Sequence, residues 1–345
     1  MLISACIIAK NEAEHLPATL DHFNDLVDEF CVLDTGSTDG TLDITHPKLR
    51  IMKSPTLFRE QRYPDDFDFA AARNEASDMA TGEWIFRPDA EYRMAANNAG
   101  MLRDYIASED AKKYDAIECM VSSGQETVPQ CLFFRRSRGF RFVNPVHERI
   151  RFETVQPPVK IKRHDGFRFV HLRTTEVLGP EEWAEKRRWY LKLIMRHLES
   201  HNDDLPMHTC VLQELVNLQW IDEAVKCANY ILALWGNRTP VSPGIAHVRS
   251  MLAICHITQG RYKEAEVELK TAMTYAPNTP RLRFLLGETY RLGGDFDKAE
   301  YWFNRAMSSK NRDVAGGPGD VRFHVALPLQ GLDWIRKQRE RLRCS

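Results

Sequence analysis

The chain has 345 residues, a formal net charge of −1 and a charged fraction of 28%. That length is too great for one ordinary hydrophobic core, so it predicts two domains. Because the net charge is close to zero, the protein as a whole has no strong electrostatic field that would attract nucleic acid or an anionic membrane. Local basic clusters do occur, and we take them by default as solvated surface: residues 135–138, 160–163, 186–188 and 336–339.

The cysteines and the N-terminus bear on the compartment. The eight cysteines include no Cys-x-x-Cys pair, and several lie inside apolar runs, which is typical of reduced core thiols. The apolar start of the chain lacks a basic n-region, so it predicts a strand and no signal peptide. Since no apolar stretch approaches the roughly 18 residues of a membrane span, we expect a cytoplasmic protein.

The first fifty residues alternate between strand and helix patterns. Residues 2–9 are a near-continuous apolar run, which is typical of a strand covered on both faces. Residues 12–23 have helical spacing, and residues 29–33 and 49–53 predict two further strands. This order predicts an α/β, doubly wound, mostly parallel sheet. Ligands of such sheets bind beyond the carboxyl ends of the strands.

Polar groups follow the first two predicted strands and a further apolar run at residues 84–86, which we also interpret as a strand. They are Lys10-Asn11-Glu12, Asp34-Thr35 and Asp89-Ala90-Glu91. Extended backbone directs residues i and i+2 to one side, so Asp89 and Glu91 can point together into a cleft. Hard divalent cations prefer carboxylate oxygens and often bind substrate phosphates as well. We therefore predict a metal and diphosphate corner here, with a solvated acidic loop as the structural alternative.

An Ala-rich helix is predicted to begin after Asp68, which is a good N-cap residue. Capping alone would explain Asp68, and a place in the substrate pocket is the other interpretation. Arg73 lies on the same helix. A helix between two loops at the sheet edge would bring its guanidinium close to a phosphate.

Four motifs in this order resemble glycosyltransferase family 2, whose members have the GT-A fold. They are Ile7-Ile8-Ala9-Lys10-Asn11-Glu12, the segment 32–41 with Asp34-Thr35-Gly36-Ser37, the segment 68–74, and Gly82-Glu83-Trp84-Ile85 before the acids. The resemblance covers roughly residues 2–175. It is strongest to the branch with a C-terminal tetratricopeptide region, which includes bacterial enzymes that glycosylate peptides.

The resemblance implies a nucleotide-sugar donor, usually UDP-linked. Ala9, Lys10, Asn11 and Glu12 would line the nucleotide pocket, Asp34 would contact uracil or ribose, and Asp68 and Arg73 would lie near the donor, Arg73 at the diphosphate. Asp89 and Glu91 would hold Mn²⁺ or Mg²⁺. The family usually has aspartate at the second acidic position, so Glu91 puts the metal geometry and the metal dependence in question.

The second half of this domain is predicted to bind the acceptor. Residues 92–106 have a helical pattern, and residues 114–121 and 129–134 predict two strands joined by a turn. Val146-His147-Glu148 follows. The family branch that this chain resembles has a similar Val-His-Glu segment, where related enzymes place the catalytic carboxylate. An inverting displacement needs a base within hydrogen-bond reach of the nucleophile. Glu148 is our first candidate for this base and His147 is the second. The structural alternative for Glu148 is a surface partner of Arg149, and for His147 it is an ordinary histidine in a turn.

A histidine near the metal is also expected in the family, within a His-x-Gly-aromatic segment. His164-Asp165-Gly166-Phe167 matches that segment, so we choose His164 as the third metal residue. His171, in a strand-like segment, is the second candidate.

The chain beyond residue 178 has a helical pattern and repeats. Gly260-Arg261-Tyr262-Lys263-Glu264-Ala265 recurs as Gly294-Asp295-Phe296-Asp297-Lys298-Ala299, which is 34 residues later. That is the tetratricopeptide period, and such units stack to leave a concave face. We predict a transferase domain over residues 1–178, tetratricopeptide-like helices over 179–311, and a linker with a capping helix over 312–345. The repeats either pack on the rest of the protein or bind an acceptor protein.

The sequence thus predicts a metal-dependent, inverting glycosyltransferase acting on a hydroxyl or thiol, most readily of a peptide or protein. A hydroxymethylated DNA base is the first alternative acceptor, motivated by the basic clusters. A saccharide or cell-envelope acceptor is the second. A non-catalytic tetratricopeptide adaptor with a degenerate transferase domain is the alternative outside enzymes.

Overall fold

The computed structural model describes residues 1–96, 98–123, 126–153, 155–172, 178–236, 243–308 and 326–344. The chain forms two compact units, one of residues 1–124 and 128–197 and one of residues 125–127 and 198–345. Among the described residues, no helix is long and apolar enough to cross a membrane.

The first unit is an α/β domain. Its strands are β1 Ile3–Ala9, β2 Glu29–Asp34, β3 Leu49–Lys53, β4 Trp84–Phe86, β5 Tyr92–Met94, β6 Ala116–Ser123, β7 Glu126–Arg135, β8 Phe142–Val143, β9 Arg149–Ile150 and β10 Ile161–His171. Its helices are α1 Leu16–Phe23, α2 Phe69–Asp78, α3 Ala99–Ala107 and α4 Pro180–Ser200. The main sheet has the order β3-β2-β1-β4-β7-β6-β10-β5, and β8 pairs with β9 in a separate ribbon.

The predicted parallel strands are confirmed. β1 lies between β2 and β4 and runs parallel to both. It is almost wholly buried, because α1 and α2 cover the sheet that its apolar residues build. In the pairing of β1 with β2, Ala9 is opposite Asp34. The carboxyl ends of these strands therefore meet at one edge of the sheet, as the sequence predicts.

The interpretation of residues 92–106 as one helix is wrong at its start. Tyr92–Met94 is a strand, antiparallel to the end of β10, and the helix runs only from Ala99 to Ala107. Tyr92 and Met94 are buried in the sheet core, so hydrogen bonds to a distant strand override the local helical spacing. The two strands predicted next are confirmed as β6 and β7, while part of the turn between them lies outside the described residues.

Helix α4 packs with the first unit as far as His197, although the predicted boundary assigned it to the helical region. The indole Nε1 of Trp189 donates to the carbonyl oxygen of Pro64 at 2.7 Å. Lys192 Nζ lies 2.6 Å from Asp65 Oδ2. The Trp189 ring also lies against the rings of Tyr63 and Phe67. Trp189 and Tyr190 of this helix thus pack against aromatic residues of the α/β domain.

The second unit is helical. Its helices are α5 Leu205–Asn217, α6 Ile221–Gly236, α7 Pro243–Thr258, α8 Tyr262–Tyr275, α9 Pro280–Leu292, α10 Phe296–Met307 and α11 Ala326–Cys344. The equivalent residues Gly260 and Gly294, with φ of 72° and 83°, make the turns before α8 and α10. The predicted terminal helix is confirmed as α11, whereas the predicted linker at 312–319 lies outside the described residues. The predicted order of an α/β domain followed by repeated helices is confirmed.

Candidate functional site

Asp34 ends β2 and is fully buried. Its Oδ1 accepts hydrogen bonds from the backbone N–H groups of Gly36 at 3.0 Å and Ser37 at 2.9 Å. Its Oδ2 is buried and has no hydrogen-bond partner among the described residues. A buried carboxylate oxygen is costly to leave without a donor. Oδ2 is therefore a ready acceptor for an N–H or O–H of a ligand.

The residues after β1 are joined to the loop after β2. The amide of Asn11 donates to Ser37 Oγ at 2.8 Å, and the Asn11 side-chain oxygen accepts from the amide of Thr38 at 2.8 Å. The amide of Glu12 donates to Thr41 Oγ1 at 2.8 Å. Asn11 has a φ of 57°, in the left-handed region that asparagine tolerates better than most residues. These bonds fix the shape of the loop around Asp34.

Lys10 is used within the protein. Its Nζ donates to the carbonyl oxygen of Arg59 at 2.7 Å and to that of Gln61. Burial lowers the pKa of this ammonium, and the nearby charge of Asp34 opposes the shift. A Cβ at position 36 would lie 1.9 Å from the same Arg59 carbonyl oxygen, so Gly36 is required for this approach. Lys10 thus holds residues 59–61 beside Asp34.

Helix α2 positions two of the predicted residues, Asp68 and Arg73. Asp68 Oδ1 accepts from the amide of Ala71 at 2.9 Å, so the capping interpretation of Asp68 is confirmed. Asn74, which the sequence analysis gave no role, forms two hydrogen bonds with the backbone of Phe142 at the start of β8. Its Nδ2 donates to the carbonyl oxygen at 3.0 Å and its Oδ1 accepts from the amide at 2.9 Å. The helix is therefore tied to the segment that leads to Glu148.

Arg73 joins two of the predicted acids. Its Nη2 donates to Asp89 Oδ1 at 2.6 Å and its Nε to Glu148 Oε1 at 2.5 Å. The Arg73 side chain is 8% exposed. Burial would lower the pKa of Arg73, but the two carboxylates outweigh it and raise the pKa. Burial would likewise raise the pKa of Asp89, but the charge and hydrogen bond of Arg73 outweigh it and lower the pKa.

His171, at the end of β10, lies against the acidic pair. Its Nε2 is 3.0 Å from Glu91 Oε1 and 3.8 Å from Asp89 Oδ2. Burial lowers the pKa of His171, but hydrogen bonding and charge from Glu91, with the charge of Asp89, outweigh it and raise the pKa. Ala90 between the acids is buried, and its carbonyl oxygen accepts from Thr19 Oγ1 of α1. The loop of the two acids is thus fixed from both sides.

The structure places His171, the second candidate, beside Glu91 and Asp89, and gives His164 other neighbours. The His164 ring packs against the rings of Tyr105 and Phe167, with centroids 4.7 and 4.4 Å away. Its Nδ1 accepts from the amide of Gly166 at 3.2 Å, and a Cβ at position 166 would lie 3.0 Å from the imidazole. His164-x-Gly166-Phe167 is therefore a local packing motif. His164 is opposite Cys119 of β6, whereas His171 is opposite Ser123 at the other end of the strand.

The loop after β8 presents His147 and Glu148. Asn144 and His147 have φ values of 79° and 54°, so this short turn is strained for residues other than glycine. The His147 ring lies edge-on to the Tyr190 ring of α4, with centroids 5.7 Å apart. Glu148 points inward instead, with its side chain 15% exposed and bound to Arg73. The two residues therefore face different neighbours, and Glu148 is the one joined to the acidic corner.

The donor atoms at this corner fit a divalent cation in type. No group of three or more histidine, cysteine, aspartate or glutamate side chains is arranged to hold a metal within the part of the chain that the structure describes. A magnesium-like ion, however, is commonly bound by one or two carboxylates together with substrate phosphates. Asp89 and Glu91 supply two carboxylates, and His171 supplies an imidazole beside them. The set therefore fits an ion that is completed by its substrate.

Residues 4–117 match the model of glycosyl transferase family 2, and residues 256–315 match a tetratricopeptide repeat model. The match to the glycosyl transferase family 2 model lies within the first unit. The matched segment contains Asp34, Arg73, Asp89 and Glu91, whereas Glu148, His171 and helix α4 lie beyond it.

Two curated relatives match part of the chain. A tetratricopeptide repeat-containing protein of Synechococcus elongatus is 34% identical over 147 residues, which are 42% of this chain and 34% of the relative. The glycosyltransferase SunS of Bacillus subtilis is 30% identical over 152 residues, again 42% of this chain and 34% of the relative. The match thus spans about a third of the length of these relatives. Among solved structures, TarS of S. aureus aligns with 77% of this chain and 54% of its own, at 14% identity and a TM-score of 0.42.

Proposed function

We propose that this protein transfers a sugar from a nucleotide sugar, with a UDP-sugar as the first candidate, to a hydroxyl or thiol of a peptide or protein, with inversion. The observation that carries the proposal is the meeting of Asp34 and the Asp89-Ala90-Glu91 loop at the carboxyl edge of parallel strands. Such an edge is where α/β sheets bind ligands. The family match over the same segment supports glycosyl transfer as the reaction.

Asp34 is proposed to bind the nucleoside. Its buried Oδ2 offers an acceptor for a base N–H or a ribose hydroxyl. The hydrogen bonds of Asn11, Ser37 and Thr38 hold the surrounding loop in one conformation. A site held in this way loses little conformational freedom on binding, which favours affinity.

A divalent cation is proposed to lie at Asp89 and Glu91, with His171 beside it. Bound there, it would neutralise the charge that develops on the departing diphosphate. Arg73 orients the carboxylate of Asp89 through a hydrogen bond to Oδ1. Because the pKa of Asp89 is lowered, its ionised form is favoured over its protonated form. Glutamate at position 91 keeps a hard oxygen donor, so its extra methylene is compatible with this role.

Glu148 is proposed as the base. The acceptor oxygen or sulfur forms a bond to the anomeric carbon while the bond from that carbon to the diphosphate breaks. The proton of the acceptor passes to the Glu148 carboxylate. Since attack comes from the face opposite the leaving group, the configuration inverts. The bond from Arg73 Nε holds this carboxylate in a fixed place relative to Asp89.

A peptide or protein is the proposed acceptor class because the second unit is built of tetratricopeptide helices. Stacked repeats of this kind present extended surfaces that suit protein ligands. The test is to incubate the protein with a panel of nucleotide sugars and candidate peptides and to seek the mass of an added hexose or N-acetylhexosamine. A peptide adduct that needs Glu148 supports the proposal, whereas sugar found only on saccharides contradicts the acceptor class.

The basic clusters that motivated a DNA base as the alternative acceptor are partly neutralised within the protein. Arg138 lies 3.3 Å from Asp115, Arg163 lies 3.2 Å from Glu118, and Arg135 pairs with Glu83. Two of the basic clusters therefore contain arginines that already have carboxylate partners. A glycosylated DNA base would also require binding that weakens steeply with salt.

A further inference from the structure

Strand β7 lies beside the acidic loop, on the side away from Asp34. Strands β2, β1, β4 and β7 are consecutive in the sheet; Asp34 ends β2, and Asp89 follows β4. Adjacent strands are about 4.8 Å apart. A donor that has its nucleoside at Asp34 and its diphosphate at Asp89 therefore extends its sugar towards β7. The side chains at this end of β7 are placed to meet that sugar.

Gln130 is the residue of β7 that lies level with Asp89. β7 runs antiparallel to β4, and the amide of Arg87 continues the pairing by donating to the carbonyl oxygen of Leu132 at 2.9 Å. The same register, continued by two residues, brings Gln130 opposite Asp89. Opposite residues of an antiparallel pair share one face of the sheet. The side chains of Gln130 and Asp89 therefore belong to the same face.

Arg87 and Gln130 are joined by a hydrogen bond. Arg87 Nε donates to the carbonyl oxygen of Cys131 at 2.8 Å, and Arg87 Nη2 donates to Gln130 Oε1 at 3.3 Å. The same Gln130 oxygen accepts from the hydroxyl of Tyr92 at 3.1 Å. Because a guanidinium only donates, the oxygen of the Gln130 amide has to face Arg87. The two side chains are thus held in a fixed orientation by neutral oxygen partners.

Arg87 lies on the same side of the sheet as Arg73. The Cζ atoms of Arg87 and Arg73 are each 6.0 Å from the centroid of the Phe142 ring. Arg73 donates to Asp89 Oδ1 at 2.6 Å and to Glu148 Oε1 at 2.5 Å. Phe142 therefore neighbours two guanidinium groups, one bound to the two acids and the other bound to neutral oxygens.

The pair of Arg87 and Gln130 offers hydrogen-bond donors and no acceptor. Among the residues that the structure describes, neither Arg87 Nη1 nor Gln130 Nε2 has a hydrogen-bond partner, while Gln130 Oε1 already accepts from two donors. A hydroxyl both donates and accepts, whereas a carbonyl or carboxylate oxygen only accepts. Two neighbouring N–H groups, one of them on a cation, therefore suit a carbonyl or carboxylate oxygen better than a hydroxyl.

We infer that Arg87 and Gln130 bind a carbonyl or carboxylate oxygen of the donor sugar, so that the donor carries an N-acetylamino sugar or a uronic acid and not a plain hexose. This rests on the proposed function and names the class of sugar that the same site takes. The acetamido and carboxylate groups share the acceptor chemistry, and the experiment distinguishes them.

The test is calorimetric binding to the full chain in the presence of Mn²⁺. UDP, GDP, ADP and dTDP are compared first to identify the nucleotide. Its derivatives of glucose, N-acetylglucosamine and glucuronic acid, and their galactose counterparts, are then compared with the parent diphosphate. The affinity of each sugar derivative relative to the parent diphosphate isolates the contribution of the sugar.

Two variants remove the donors in different ways. Arg87→Met keeps an unbranched side chain beside Phe142. Gln130→Glu keeps the shape and the oxygen that accepts from Arg87 and Tyr92, but it replaces Nε2 by a second carboxylate oxygen. The matched control is Arg103→Met, since Arg103 is also half-buried and pairs with a carboxylate at the amino end of β1. Thermal melting checks that each variant is folded.

We expect the wild type to bind an N-acetylamino sugar or a uronic acid derivative about tenfold or more tightly than the plain hexose derivative, as for a hydrogen bond to a charged group. Preference for the first assigns the acetamido carbonyl, and preference for the second assigns the carboxylate. Arg87→Met and Gln130→Glu should abolish the preference and leave the affinity for the parent diphosphate unchanged. Arg103→Met should retain the preference.

Equal affinity of the wild type for all the sugars, or a preference for a plain hexose, would overturn the inference. A preference that survives in either folded variant would do the same. Equal losses for the parent diphosphate and the sugar derivative would assign the pair to the diphosphate, and unchanged donor binding with lost transfer would assign it to the acceptor; both results contradict the inference. A wild-type protein that binds no nucleoside diphosphate would overturn the proposed function, and the inference with it.

Discussion

Arg73 Nε lies 2.5 Å from Glu148 Oε1, and through this bond helix α2 holds the proposed base. The other end of the guanidinium holds Asp89 at 2.6 Å. One side chain therefore sets the spacing between the acid proposed for the metal and the acid proposed for the acceptor proton. Because arginine can donate in two directions from a rigid plane, lysine is a poor substitute here.

Arg73→Met is expected to lower the free energy of unfolding by about 3 kcal/mol, because it leaves two partly buried carboxylates without their partner. Turnover should be lost as well. Calorimetric unfolding and a turnover assay measure both effects. Arg141→Met is the control, since Arg141 forms an exposed pair with Asp78 and should change stability by less than about 1 kcal/mol. Equal stability of Arg73→Met and the wild type would contradict the account.

Glu148→Gln should reduce transfer by about 10²- to 10⁴-fold, the usual contribution of a general base. The amide oxygen can still accept from Arg73, so we expect the fold and UDP binding to be preserved. Initial rates of transfer and calorimetric UDP affinity are the measurements. Glu153→Gln is the control, because Glu153 is an exposed partner of Arg149. Transfer at the wild-type rate in Glu148→Gln would move the base to another residue.

The two histidines of β10 should differ in their effect on metal use. EDTA is expected to stop turnover, and added Mn²⁺ to restore it. His171→Ala should raise the Mn²⁺ concentration for half-maximal rate by about tenfold, as for loss of a group that touches the metal ligands. His164→Ala should leave that concentration unchanged, since His164 packs against Tyr105 and Phe167. The reverse order of the two variants would refute the placement of the metal.

Glu29 gives a prediction for stability at acid pH. Burial would raise the pKa of Glu29, but hydrogen bonds from Ser4 and Thr81 and the charge of Arg50 lower it from 4.5 to about 2. A carboxylate with a lowered folded pKa stabilises the protein above its unfolded pKa and loses that effect as the pH falls. The contribution, up to about 3 kcal/mol, should be complete above pH 4.5 and should decline towards pH 2. Calorimetric melting of wild type and Glu29→Gln from pH 7 to 3 measures it; a difference independent of pH would disprove the assignment.

The sequence predicted the sheet edge because local patterns determine it. Long apolar runs such as Ile3–Ala9 form buried strands, and the polar residues that follow them must lie at the carboxyl ends. Asp34 and Asp89 were located in this way. The strand Tyr92–Met94, in contrast, was not predicted. It forms only through its pairing with β10, which lies far along the chain.

The contacts within the site also join residues that are far apart in the sequence. Glu148 is 75 residues from Arg73, and no spacing rule connects them. His164 was chosen over His171 because of the local motif His164-x-Gly166-Phe167. In the structure, Gly166 leaves room for the His164 ring. Helix α4 had a clear amphipathic pattern, but its contact with the α/β domain depends on Trp189 reaching Pro64. Such tertiary contacts leave no signal in the periodicity of one sequence.

The release of nucleotide from nucleotide sugars tests the central claim most directly. UDP-glucose, UDP-galactose, UDP-N-acetylglucosamine and GDP-mannose are each incubated with purified protein and Mn²⁺, and free nucleoside diphosphate is measured by chromatography. The comparison is with Asp89→Asn and with Asp104→Asn, which removes an exposed carboxylate of α3. We predict Mn²⁺-dependent release from at least one donor by the wild type and by Asp104→Asn, and none by folded Asp89→Asn. Absence of release and of binding for every donor, or equal release by Asp89→Asn, would contradict the assignment of this site to glycosyl transfer.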